Sequence, residues 1–284
     1  MQSNNPVFAR NDGFNGRGGA VATSPSEWKV DLDGGQSTSP THTERGQGRM
    51  TLDTVVEKTA ISLGLVIAAA AVTWFFIGDL GATNPTEAQA AQGLAFSLAI
   101  GGALIGLVLS LVNSFKKVVS PGLVIAYAVV EGVFVGAFSK VIASYVGDPT
   151  IVFQAVLATM VAFGGTLAAY KFFNIQVTDK FRKVVTIAIF SFVGVMIINF
   201  VLSMTGVLES GGLRGFNTLG LLVSAAAVVL AVLMLILDFD FVEQGVAAGL
   251  PERESWRAAF GLTVTLVWLY IELLRILAIL RGSD

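Results

Sequence analysis

Seven long apolar runs lie between Thr59 and Leu280, and they leave this chain little choice of fold. An α-helix needs about 20 apolar residues to cross ~30 Å of hydrocarbon, and every backbone group within lipid must be satisfied inside the spanning element. The runs cover residues 59–78, 93–115, 121–139, 151–170, 184–203, 216–237 and 256–280. They predict an all-α polytopic membrane protein with seven transmembrane helices. A mean hydropathy of +0.74, with only 13% charged residues, agrees with a chain whose solvent is lipid.

Residues 1–50 carry Gly, Asn, Ser, Thr and Arg without an apolar period, and they read as a disordered tail with no signal-peptide core. An inert tail is favoured over one that docks a partner. The transmembrane domain occupies residues 51–284. It opens on an amphipathic lead-in, 51–57, in which Thr54 and Glu57 have capping-box spacing. Pro121 after Ser120, and Pro251 ahead of Glu252 and Glu254, mark two further helix entries.

Composition removes several chemistries. There is no cysteine, so disulfides, thiolate metal sites and Cys nucleophiles are absent. The only histidine, His42, lies in the tail, which excludes a His-bound zinc or a Ser-His dyad in the bundle. The chain therefore reads as a non-enzyme without an organic cofactor. Any metal must be held by oxygen, which selects hard ions such as Ca²⁺, as permeant or bound ion. No basic stretch interleaved with aromatics suggests nucleic acid.

Orientation follows from the cations near the ends of the runs. Eleven lie on one side: Arg45, Arg49, Lys58, Lys116, Lys117, Lys171, Lys180, Arg182, Lys183, Arg253 and Arg257. The other side has Lys140, Arg214 and Arg281. An odd number of spans then puts the N-terminus in the cytoplasm and the C-terminus outside a plasma membrane. The last run admits a re-entrant alternative, because Glu272 and Arg275 interrupt it. Glycines recur within the runs, with Gly132 and Gly136 four residues apart. Small residues at that spacing let helix backbones approach closely, and tight packing is the plain reading of Gly101, Gly102, Gly106, Gly164 and Gly165 as well. No internal repeat supports an inverted-repeat transporter.

The charges inside or at the edge of the runs are the functional candidates. Glu131 lies ten residues into the third run, about 15 Å deep, with Tyr127 one turn earlier as its polar neighbour. A carboxylate there costs several kcal/mol unless it is protonated, paired or wetted. It reads as a titratable gate or cation ligand, or else as a permanently protonated acid bonded to a neighbouring helix. Asp238 and Asp240 close the sixth run. They point about 200° apart, so one faces the bundle while the other, Asp240, is left to solvent or headgroups. Glu272 and Arg275 are three apart, a spacing that forms an intramembrane ion pair; alternatively Glu272 lines the same cavity as Glu131.

The stretch Tyr127-Ala-Val-Val-Glu-Gly-Val-Phe-Val-Gly136 resembles the Tyr-Ala-x-x-Glu-Gly-x-Phe-x-Gly signature of the Bax inhibitor-like family, also called the transmembrane BAX inhibitor motif family. The likeness runs over residues 50–281. It includes the acidic end of the sixth run and the closing Leu-Leu-Arg-Ile-Leu277, and the segment 51–58 looks like a bacterial branch. The resemblance implies a central seventh helix wrapped by the other six. It also implies a pH-sensitive Ca²⁺ leak governed by a pair of aspartates on the sixth and seventh helices. Asp238 matches the first of that pair, and Thr265 stands where the second should be. A weaker pH response, or a different acid such as Glu272, is then expected.

Three functions follow. The first is a cation leak with Glu131 as cavity ligand or proton switch and Asp238 as latch, both able to meet Ca²⁺. The second is a non-transporting membrane protein that regulates a protease or another membrane protein. The third is a proton-coupled secondary transporter. Lipid, Ca²⁺ and protons are the expected partners.

Overall fold

The computed structural model describes residues 48–173 and 175–282, with Glu209 and Ser210 described by backbone alone. Seven helices form, each long and apolar enough to cross a membrane: α1 Leu52–Phe76, α2 Pro85–Phe115, α3 Pro121–Val146, α4 Thr150–Phe172, α5 Asp179–Met204, α6 Thr218–Ala247 and α7 Glu254–Gly282. A short 3-10 helix, Glu209–Arg214, lies between α5 and α6. Among the described residues there is no β-strand, only an isolated antiparallel bridge between Arg49 and Pro251. The chain is a multi-pass membrane protein.

Helix starts follow from local chemistry. Thr51 caps α1: its hydroxyl accepts from the Thr54 amide, while Thr54 Oγ1 accepts from the Thr51 amide. The capping box thus sits one turn earlier than the Thr54–Glu57 pair predicted. The second helix starts at Pro85, eight residues before the apolar run, because Asn84 caps it and Pro85 takes the first position. Pro121 opens α3 as expected, though the Ser120 side chain makes no capping bond. The last span is one unbroken helix of 29 residues, so the re-entrant alternative falls.

α7 is the centre of the bundle. Of its most apolar stretch 67% is buried inside the protein, against 11% for α5. The helices packed directly along it are α1, α3, α4 and α6, four of the six that the family resemblance implies. α2 packs along α3, and α5 packs along α6, touching α7 through the ring contact of Phe192 with Trp268. Glycine decides how close the first three helices come. A Cβ at Gly132 would lie 2.5 Å from the Val66 carbonyl, and one at Gly136 would lie 2.4 Å from the Ala70 carbonyl, so α1 and α3 meet backbone to backbone. Gly102 and Gly106 let α2 reach Phe134 and Glu131 in the same way. Gly101, Gly164 and Gly165 meet nothing within 4 Å, so packing does not explain them.

The tail predicted over residues 1–50 lies mostly outside the described residues. Its last three, Gly48–Met50, do not behave as a tail. Met50 N–H donates to Leu250 O at 2.7 Å and Glu252 N–H donates to Gly48 O at 2.6 Å, which straps this segment across the α6–α7 loop. Met50 is buried, and its sulfur lies 2.9 Å from where a Cβ on Gly245 would be. Lys58 and Glu252 add an ion pair at 2.8 Å.

Candidate functional site

α6 does not end near Leu237 as its apolar run suggests. It continues through Asp238 and Asp240 to Ala247, leaving Asp238 about 14 Å short of the helix end. Apolar residues in helical period maintain it: Phe239 and Val242 pack in one core with Met50, Val55, Ala258 and Leu262. Both aspartates are therefore side chains of a helix interior, away from its C-terminal dipole.

They face different helices. The Thr265 hydroxyl donates to Asp238 Oδ2 at 2.7 Å and also lies 3.1 Å from the Gly261 carbonyl, joining α6 to the middle of α7. A Cβ on Gly261 would stand 3.4 Å from Asp238 Oδ1, at ordinary contact distance. Asp240 is buried, at 9% exposure, which corrects the expectation that solvent or headgroups receive it. Arg182 Nη2 donates to its Oδ2 at 2.7 Å and Gln244 Nε2 at 2.9 Å. The reason is α5, whose first turn brings Arg182 against the face of α6 opposite Thr265. One turn along α6, Tyr170 donates to Glu243 Oε2 at 2.6 Å.

Glu131 lies at the α2–α3 contact. Tyr127 lies one turn before it on the same helix, and Glu131 Oε2 stands 2.7 Å from where a Cβ on Gly106 would be. Tyr127 in turn meets Phe260 of α7 edge to face, with centroids 5.1 Å apart. Tyr127 thus meets α7 somewhat more than one turn before Thr265, from the α3 side, while Asp238 approaches from α6.

Glu272 and Arg275 belong to a separate cluster. Glu272 is 1% exposed, and its chief partner is Arg214, whose Nη1 donates to Oε1 at 2.6 Å. Arg275 is the looser partner, with Nε 4.0 Å from Glu272 Oε2; it donates to the Arg214 carbonyl at 2.7 Å and stacks on Phe216. Glu272 is twelve residues from Phe260, roughly 18 Å along α7, and its partner is Arg214. The cluster instead fastens the segment between α5 and α6 to the end of the bundle opposite the Met50 strap. In the sequence Arg214 and Arg182 show only as cations beside a run. That each pairs with an acid of another element, Arg182 with Asp240 and Arg214 with Glu272, becomes visible only once the helices are packed.

Among the described residues no three His, Cys, Asp or Glu come together. Glu131 and Asp238 would meet a cation singly, with hydroxyl and carbonyl oxygens as company. That is a poor cage for an ion needing 6–8 oxygens.

No curated protein matches the chain. The family model described as Bax inhibitor 1 like matches residues 5–282, nearly its whole length. With seven apolar helices, a central last helix and the Glu131–Gly132 motif at a helix contact, the chain belongs to the Bax inhibitor 1 like family.

Proposed function

We propose that the protein is a cation leak, conducting Ca²⁺ across a plasma membrane with its N-terminus cytoplasmic, and that protonation of Asp238 and Glu131 sets how open it is. The observation that carries this reading is the 2.7 Å hydrogen bond from Thr265 to Asp238, which ties α6 to the buried central helix. Helices around a central one can separate only by breaking the contacts that hold it, and this is a polar contact whose strength depends on a proton. Two acids at this place would need a shared proton to stay together. A hydroxyl needs none, because it donates to a carboxylate and accepts from a carboxylic acid. The contact therefore survives in both protonation states, and the pH response is shallow. Glu131 acts as a second oxygen station on the α3 side of α7. The activity is passage of an ion, without catalysis.

The test is Ca²⁺ entry into liposomes carrying the purified protein and an internal indicator, with external pH stepped from acid to alkaline. Flux above protein-free liposomes, altered by Asp238→Asn and Glu131→Gln, supports the reading. Flux no greater than that of empty liposomes at any pH overturns it, and proton counter-flow coupled to Ca²⁺ points instead to an exchanger. The Met50 strap favours a second reading, in which the tail regulates a protease or another membrane protein through the α6–α7 loop. Deleting residues 1–47 separates the two: loss of a cellular phenotype with flux intact selects the second.

A further inference from the structure

α1 and α4 both pack on α7 but not on each other, and the space between them is an elongated slot of about 330 Å³ floored by α3 and α7. It runs from Leu63 to Phe75 along α1, roughly 18 Å at 1.5 Å per residue, a little more than one leaflet of a ~30 Å core. Spread over that length, the room suits a single hydrocarbon chain and is too narrow for a helix ~10 Å in diameter.

The walls suit nothing polar. No charged side chain lines the slot, and its hydroxyls are engaged: Ser139 Oγ and Tyr270 OH are 2.7 Å apart, and Thr159 donates to Ala155 O. At one end the polarity changes. Lys140 Nζ stands over the Trp74 ring at 5.3 Å and donates to the Trp74 carbonyl, with Asp79 as the nearby acid. An amphipathic Trp beside a Lys is the pairing that meets headgroups at a membrane interface.

We propose that the slot binds one acyl chain of a bilayer phospholipid, with the phosphate at the Lys140 end. The chain lies against Leu266 and Val267, the residues after Thr265 on the central helix. A lipid here is a structural ligand of α7, bound whether or not the protein conducts.

Native mass spectrometry of the full chain, solubilised from phosphatidylglycerol–phosphatidylethanolamine bilayers with palmitic acid added, reads the occupant by mass. We expect one phospholipid retained per chain. Ala71→Trp, which fills the slot from its exposed wall, should remove it, whereas Val72→Trp, on the lipid-facing side of the same helix, should keep it. If Ala71→Trp does not fold, Val156→Trp fills the slot from α4. No retained phospholipid in the unmodified chain, retention unchanged by the filling variant, or retention of palmitic acid in its place would each overturn the proposal.

Discussion

Replacing Thr265 by valine is the sharpest perturbation the site offers. Valine keeps the shape of a side chain that is 2% exposed and removes only the hydroxyl that donates to Asp238. A hydrogen bond to a charged acceptor contributes about 1.5–3 kcal/mol, and one between neutral groups about 0.5–1.5 kcal/mol. At 1.4 kcal/mol per tenfold, loss of the contact shifts a closed-to-open equilibrium by about 12- to 140-fold if Asp238 is ionised and by about 2- to 12-fold if it is protonated. The open fraction, and with it liposome Ca²⁺ flux, should rise by that factor at constant protein density. Reading the factor at several pH values then reports the proton on Asp238. The companion change, Thr265→Asp, sets two acids at hydrogen-bond distance. They share a proton in acid and repel when both ionise, so flux should become steeply dependent on pH and rise toward alkaline values. Flux and pH profile both unchanged in Thr265→Val would refute the reasoning, because the contact would then differ between no two functional states.

Other consequences concern the scaffold. Gly136→Val must drive α1 and α3 apart, since its Cβ would meet the Ala70 carbonyl; a loss of about 1–3 kcal/mol should appear as a lower melting temperature in detergent, with Gly164→Val near neutral. Arg214→Ala leaves the buried Glu272 carboxylate with only the distant Arg275. We expect a loss of about 2–3 kcal/mol, moderated because Arg214 is partly exposed, and recovery on adding Glu272→Gln. Asp148, in the α3–α4 turn outside the spans, is held below the usual carboxylate range by its bonds to Thr150 and by Arg281. A depressed carboxylate stabilises above its unfolded value of about 3.9, and the stabilisation is lost as pH falls through its folded value. The melting difference between the unmodified chain and Asp148→Asn should therefore be present at neutral pH and vanish in strong acid.

The seven spans were legible because a long apolar run has one stable solution in lipid, and the pairing role of Gly132 and Gly136 followed from spacing alone. The helix ends were less so. α6 runs ten residues past its apolar stretch because Phe239 and Val242 find Met50 and Val55, a contact made over nearly two hundred residues of sequence. Asp240 was misplaced for the same reason: its partner Arg182 belongs to another helix, and no periodicity on α6 reports it. The pairing of Glu272 with Arg275 was visible from its three-residue spacing, yet the shorter bond goes to Arg214, from a segment with no pattern of its own. In the sequence Thr265 shows only as an absent acid. Its packing against Asp238 turns that absence into a contact with a different proton requirement.

The measurement that bears most directly on the central claim is Ca²⁺ flux into proteoliposomes as a function of pH for the unmodified chain and for Asp238→Asn with Glu131→Gln. Flux above protein-free liposomes with a shallow dependence on pH is expected, with a flat profile in the doubly substituted protein. An unmodified chain that conducts no Ca²⁺ at any pH, or a doubly substituted protein with the same profile, would contradict it.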